Sequence, residues 1–462
     1  MKIALKWQTL IIICAGIFMS TLDGSILNIA NPTIAEFYGV SMQNVQWVVT
    51  SYMLVITSTL LLLGKLGDRL GNHHIYRWGF LVFAVGSLLC AIAPSLYTLV
   101  AARCFQAIGA SMLMATGVGI VSNTFPFEER GKALGITGGV VGLGNMVGPS
   151  LGGFLVSSFS WPVIFLINIP IGLLAFACSY RCLAPQETET GDSGHDKAGN
   201  TIFALGIFTL ILSLSLADGI KTPVLLTGVV LLVLFYLYER RAANPMLDFS
   251  LFYNQLFVIG NSMAFATYMT QTAVFFILPF YLENVTNFTP AWTGLLLTIP
   301  PVVQVVAAPL AGSLSDRLGP SRLTSIAFAL MSSGFLLLST LGTTLNLTRI
   351  ILGLIIYGVG VASFGSPNSS SVMGSIPRQK AGYTGGFMAT VRNLGFAMGI
   401  AIWVSLFSFT LNQSQFYLPF AESYARATHR VFLCAGFIAL AGLLVSILTG
   451  SIRQNHNNHL ET

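Results

Sequence analysis

Charge is what this chain lacks. Asp, Glu, Lys and Arg together make up 8% of its 462 residues, against about 25% in soluble domains, and a mean hydropathy of +0.77 rules out a soluble globular protein. Recognisable chemistry is scarce too. No G-x-x-x-x-G-K-[ST] phosphate loop occurs, which argues against nucleotide-driven transport. No cluster of His, Asp, Cys or Ser gathers at a membrane face as an embedded enzyme would need, and the loops are too short for the soluble domains of a receptor. The six cysteines (Cys14, Cys90, Cys104, Cys178, Cys182 and Cys434) lie in or beside apolar runs, with no metal or disulfide spacing. A net charge of +6 is spread one or two residues at a time, so no basic patch for nucleic acid forms. No cofactor and no metal are expected.

What the chain has is apolar length. A spanning helix needs about 20 apolar residues, and fourteen segments qualify, near 9–30, 45–65, 76–94, 96–123, 133–157, 162–182, 201–217, 223–239, 256–282, 291–314, 321–341, 348–373, 382–410 and 430–451. The first imitates a signal peptide, with Lys2 and Lys6 ahead of "LIIICAGIF", but its apolar run continues past Asp23 with no convincing cleavage site. With both termini cytoplasmic, sixteen of the 22 basic residues fall inside, four outside, and two, Arg103 and Arg392, within spans. That bias sets the orientation in the inner (cell) membrane.

A repeat divides the chain. "GKLGDRLG" (64–71) returns as "GSLSDRLG" (312–319) after 248 residues, and Gly131, Gly135, Gly144 and Gly148 return as Gly382, Gly386, Gly395 and Gly399 after 251. The polar stretch "APQETETGDSGHDKAGN" (184–200) reads as a linker. The predicted order is a six-helix bundle over 1–183, a cytoplasmic linker over 184–200, an inserted helix pair over 201–245, and a second six-helix bundle over 246–462. The fold expected is an all-α membrane protein with fourteen transmembrane helices in two pseudo-symmetric bundles plus two inserted helices. Repeats of this kind are the trace of alternating-access transporters.

Several motifs, in order along the chain, resemble the major facilitator superfamily and within it the fourteen-helix drug:proton antiporter branch. "LDGSILNIANPTI" (22–34) resembles that branch's first-span signature, "GKLGDRLG" the loop between spans two and three, "RCFQAIGA" (103–110) the fourth-span arginine motif, and "GLGNMVGPSLGG" (142–153) the fifth-span antiporter motif. "WPVIFLINIPIG" (161–172) and "NPMLDFSLF" (244–252) resemble further hallmarks of the branch. The chain departs from the pattern at "NHH" (72–74), Pro162 and Glu283. The resemblance implies gating roles for Gly64, Asp68, Arg69 and Gly71 and for their repeats Asp316 and Arg317. Asp68 would face the helix opening at "AGYTGGF" (381–387), whose N-terminal partial positive charge attracts a carboxylate. Gly144, Gly148 and Pro149 would form a rocking surface, the glycines allowing close approach and the proline bending the helix.

Asp23 is the one acid well inside a span. It lies fifteen residues from the cytoplasmic start near residue 8, roughly 22 Å at 1.5 Å per residue, while Arg103 enters from the other side to a similar depth. A carboxylate in hydrocarbon needs pairing, hydration or a proton. Burial favours its neutral form and a nearby arginine its charged form, a balance suited to coupling with a proton gradient. The other reading of the pair is a permanent tie between two helices. Candidates for a substrate surface are Asn28, Trp47, Tyr52, Gln106, Tyr268, Gln271, Phe275 and Arg392. Tyr268, Gln271, Thr272 and Phe275 fall at i, i+3, i+4 and i+7 on one helical face. Together these features predict a monomeric, proton-coupled exporter of lipophilic or amphipathic small molecules working in the lipid bilayer. A dedicated exporter of one metabolite, siderophore or lipid is the alternative.

Overall fold

The computed structural model describes residues 5–183, 197–214, 218–242, 249–376 and 381–460. Among them all regular structure is helical, and a helix satisfies its backbone polar groups within itself, as hydrocarbon requires. Among the described residues twelve helices are long and apolar enough to cross a membrane. The chain divides into two compact units, Met1–Asp248 and Phe249–Thr462.

The first unit contains α1 (Leu5–Tyr38), α2 (Met42–Leu70), α3 (Asn72–Ala91), α4 (Leu96–Thr124), α5 (Phe127–Ser158), α6 (Val163–Leu166), α7 (Asn168–Cys182), α8 (Lys197–Leu214) and α9 (Asp218–Glu239). α1 packs on α5, α2 on α4, and α3 on both α4 and α7. α8 and α9 pair with each other, a Cβ at Gly228 meeting the backbone of Leu210, and α8 touches α2, where Phe208 lies 6.3 Å from Trp47 between ring centres. α2 is not among the twelve qualifying spans, and the apolar stretch of α8, Thr201–Ser213, is shorter than a full crossing.

The second unit contains α10 (Gln255–Thr272), α11 (Leu278–Asn284), α12 (Pro290–Leu297), α13 (Ile299–Leu318), α14 (Pro320–Ser339), α15 (Leu347–Gly374), α16 (Ala381–Ser414) and α17 (Phe420–Leu460). A π turn, Ala273–Ile277, joins α10 to α11 within one span. Here α10 packs on α16, α13 on α15, and α14 on both α15 and α17, the same pairings as in the first unit.

The repeated glycines account for the repeated packing. A Cβ at Gly144 would run into Thr21 and one at Gly148 into Ser25; at Gly395 it would press on Tyr268 and the carbonyl of Phe265, and at Gly399 on Thr272 and Met269. The loop motif repeats in backbone conformation as well. Gly71 and Gly319 both take positive φ, 94° and 84°, where any side chain would be strained.

Candidate functional site

The first span carries its aspartate into a sealed core. Asp23 is 3% exposed and Arg103 0%, and Arg103 Nη1 donates to Asp23 Oδ2 at 2.6 Å. The other carboxylate oxygen, Oδ1, accepts from Gln106 Nε2 at 3.0 Å and from Asn168 Nδ2 at 2.9 Å. Arg103 Nη1 also donates to Gln106 Oε1 at 2.6 Å, its Nε donates to the carbonyl of Val48 at 3.2 Å, and its guanidinium lies 4.0 Å from the centre of the Tyr52 ring. Gln106 Nε2 in turn donates to Ser87 Oγ at 2.8 Å. Helices α1, α2, α3 and α4 and the pair α6 and α7 therefore converge on one ion pair.

Local sequence explains the convergence. Arg103 and Gln106 stand three residues apart on α4, hence on one face. α6 ends at Leu166 and α7 begins at Asn168; Pro170 has no N–H to give the Leu166 carbonyl, which loosens the junction and sets Asn168 at the first turn of α7. Removing two charges from water is expensive, and the interior attraction offsets it only when the remaining donors and acceptors are met. Here both carboxylate oxygens are met, while Arg103 Nη2, also buried, has no hydrogen-bond partner among the described residues. The surface pair Lys6 with Glu129, also 2.6 Å apart, is 33% and 42% exposed and contributes at most about 1 kcal/mol.

Sequence reasoning named four members of this network: Asp23, Arg103, Gln106 and Tyr52. It gave no role to Asn168, Ser87 or the Val48 carbonyl. Asn168 had a signal, a lone amide in the apolar run "VIFLINIPIGLLAFA"; Ser87 and the carbonyl had none.

The other candidates lie elsewhere. Asn28 is half-buried on α1 and Trp47 turns to Phe208 of α8. In the second unit Tyr268 stacks edgewise on Phe396 at 5.3 Å, and Gln271, Phe275 and Arg392 are half-buried. The π turn alters the expected face: Thr272 is buried, its hydroxyl donating to the Met269 carbonyl at 2.7 Å, while Phe275 sits within the turn. Of the gating residues, Gly64 approaches Ala115 of α4, Gly71 turns the chain, Arg69 and Arg317 are exposed, and α5 runs through Pro149 without a break. The side chains of Asp68 and Asp316, and most of the linker, lie outside the described residues. Among the described residues no group of three His, Cys, Asp or Glu is placed to hold a metal ion.

Two repeated helical bundles, one enclosing a buried ion pair, define a multi-pass membrane transporter. The chain belongs to the major facilitator superfamily, whose model, Major Facilitator Superfamily, matches residues 13–400. It is 43% identical over 442 residues to the riboflavin transporter RibZ of Clostridioides difficile (strain 630), covering 96% of this chain and 97% of the relative. It is 30% identical over 401 residues to the multidrug resistance protein Stp of Mycobacterium tuberculosis (strain CDC 1551 / Oshkosh), covering 85% and 74%. In fold it matches a POT family transporter solved with a thioalcohol-conjugated peptide, with a TM-score of 0.72, 17% identity and 96% of each chain covered. A bacterial homologue of the lysosomal transporter Spinster matches with a TM-score of 0.70, 11% identity and 97% of each chain covered. Relatives and fold alike are those of transporters, and the chain is not an enzyme.

Proposed function

We propose that this chain is a secondary active transporter dedicated to one metabolite, with riboflavin and its near analogues the first compounds to test, working by alternating access and coupled to protons at Asp23. The carrying observation is the 43% identity to the riboflavin transporter RibZ over 96% of the chain. It reverses the order of preference that composition gave. An aromatic-rich, adaptable surface is equally suited to a flat heteroaromatic metabolite and to assorted lipophiles, and the relative along nearly the full length favours the former. Multidrug export stays as the second reading, supported by the 30% identity to Stp and the 28% identity to a tetracenomycin C resistance and export protein of Streptomyces glaucescens.

Within this reading α2 and α8 also cross the membrane, giving fourteen spans with both termini cytoplasmic in the inner membrane, and the monomer is the working unit. Asp23 accepts and releases the coupling proton. Substrate-induced proton release from the purified protein tests the reading. Riboflavin is expected to release protons while lipophilic cations do not. Release with lipophilic cations alone would restore the multidrug reading, and binding without release for every compound would remove antiport.

A further inference from the structure

Two side-chain amides hold the same oxygen of Asp23, and they differ in how fully they are used. The amide of Gln106 is committed at both ends. Its Nε2 donates to Asp23 Oδ1 and Ser87 Oγ, and its Oε1 accepts from Arg103 Nη1 at 2.6 Å and from Cys90 Sγ at 3.6 Å. The amide of Asn168 is committed at one end only. Its Nδ2 donates to Asp23 Oδ1 at 2.9 Å, and its Oδ1, in a residue 0% exposed, has no hydrogen-bond partner among the described residues.

The consequence follows from what a carboxyl needs in each state. Charged, it accepts only; protonated, it carries an O–H that must find an acceptor. Every described polar group bonded to the Asp23 carboxylate is a donor: Arg103 Nη1, Gln106 Nε2 and Asn168 Nδ2. Tyr52 and Cys90 are the other ionisable groups within electrostatic reach of Asp23. An O–H on Oδ1 would point at two N–H groups. Gln106 cannot reverse without taking its oxygen from Arg103. Asn168 can reverse, because its oxygen is idle and the terminal torsion of an asparagine is broad and roughly two-fold.

We propose that Asn168 is a reversing amide, a positioning residue that donates to Asp23 when the carboxylate is charged and turns about its terminal torsion to accept from it when protonated. The step balances simply. A proton from the aqueous phase bonds to Oδ1, the Asn168 N–H contact is replaced by O–H···O=C, and the reverse occurs on release; no covalent bond of Asn168 changes. The inference rests on Asp23 as the coupling group. Asn168 then keeps both protonation states hydrogen-bonded, so neither is trapped.

Infrared difference spectroscopy across a pH titration tests this on the folded wild-type protein, with asparagine carrying a ¹³C-labelled side-chain amide. The Asp23 carboxyl band is assigned by its loss in Asp23→Asn. The expected result is a carboxyl band at acid pH, together with a shift of a label-sensitive amide carbonyl band that vanishes in Asn168→Leu. Gradient-driven transport by that variant should fall roughly tenfold, about what one ordinary hydrogen bond is worth. A carboxyl band with no label-sensitive amide shift overturns the reversing amide and leaves Asp23 as the coupling group. A label-sensitive shift that persists in Asn168→Leu also overturns it, because another asparagine is then responsible. Absence of an Asp23 band at any pH removes the coupling reading and the inference with it. Should Asn168→Leu fail to fold, Asn168→Gln, which keeps an amide without the label, makes the same assignment, and a label-sensitive shift that persists in it overturns the inference.

Discussion

The two units share a scaffold and differ in what they bury. Gly86 of α3 presses on the backbone of Gln106, and Gly334 of α14 presses likewise on Tyr357; Gly109 meets Phe83 and Gly79 as Gly360 meets Met331 and Ala327. Through these contacts Gln106 corresponds to Tyr357, Arg103 to Leu354 and Ser87 to Phe335. The glycine contacts of α5 and α16 in the same way set Asp23 against Thr270. So where the first unit holds an ion pair and two amides, the second holds Leu354 and Tyr357, both 0% exposed, with Tyr357 5.1 Å from the ring of Phe335. Thr270 turns its hydroxyl onto the carbonyls of its own helix.

A second exchange runs the other way. Tyr76 fills one end of the first bundle, its hydroxyl donating to the Ile13 carbonyl at 2.9 Å. At the matching position of the second bundle stands Thr324, on the wall of a cavity of about 30 Å³ that is also lined by Gly260, Asn368 and Ser446. Duplication thus preserves backbone approach, which glycine alone permits, and leaves the polar core free to diverge. Among the described residues the buried ion pair lies in the first copy.

Breaking the first unit's core should have the largest effect on stability. Arg103→Leu leaves a buried carboxylate unpaired and should lower stability by about 3–5 kcal/mol. The double variant Asp23→Leu with Arg103→Leu should recover much of that loss, because a well-packed apolar pair can replace a buried ion pair. Thermal unfolding in detergent measures both, and a double variant no more stable than the single one would contradict a compensated pair. Next comes the shared scaffold. Gly148→Val and Gly399→Val should each destabilise by about 1–3 kcal/mol through overpacking, and a large difference between them would break the equivalence of the two helix contacts. Tyr76→Phe should cost about 1 kcal/mol, the net worth of one hydrogen bond, and a neutral result would mean that the tyrosine only fills space. Smallest is Lys6→Ala at the exposed pair with Glu129, within about 1 kcal/mol. A larger loss would mean that the cation over Phe125, at 6.0 Å, outweighs the ion pair.

The sequence made the bundles legible because their causes are periodic or duplicated. Apolar length marked most spans, and the 248- and 251-residue offsets reappear as matching glycine contacts. Depth alone brought Asp23 and Arg103 to one level. The remainder of the site was harder to read for physical reasons. Val48 contributes a carbonyl, which every residue has; Ser87 resembles any serine that bonds back to its own helix, and it does also donate to Phe83 at 2.9 Å. Asn168 depends on a helix break that periodicity does not reveal. The face predicted from Tyr268 to Phe275 assumed regular α geometry, and the π turn at Ala273–Ile277 changes that register.

Asp23→Asn in proteoliposomes, assayed for both uphill and downhill movement of riboflavin, bears most directly on the central claim. The substitution keeps size but fixes the neutral state, so a folded variant should lose accumulation driven by a proton gradient while downhill exchange continues. A folded Asp23→Asn protein that still concentrates substrate against its gradient would contradict coupling at this carboxylate and leave the buried pair as a tie between helices.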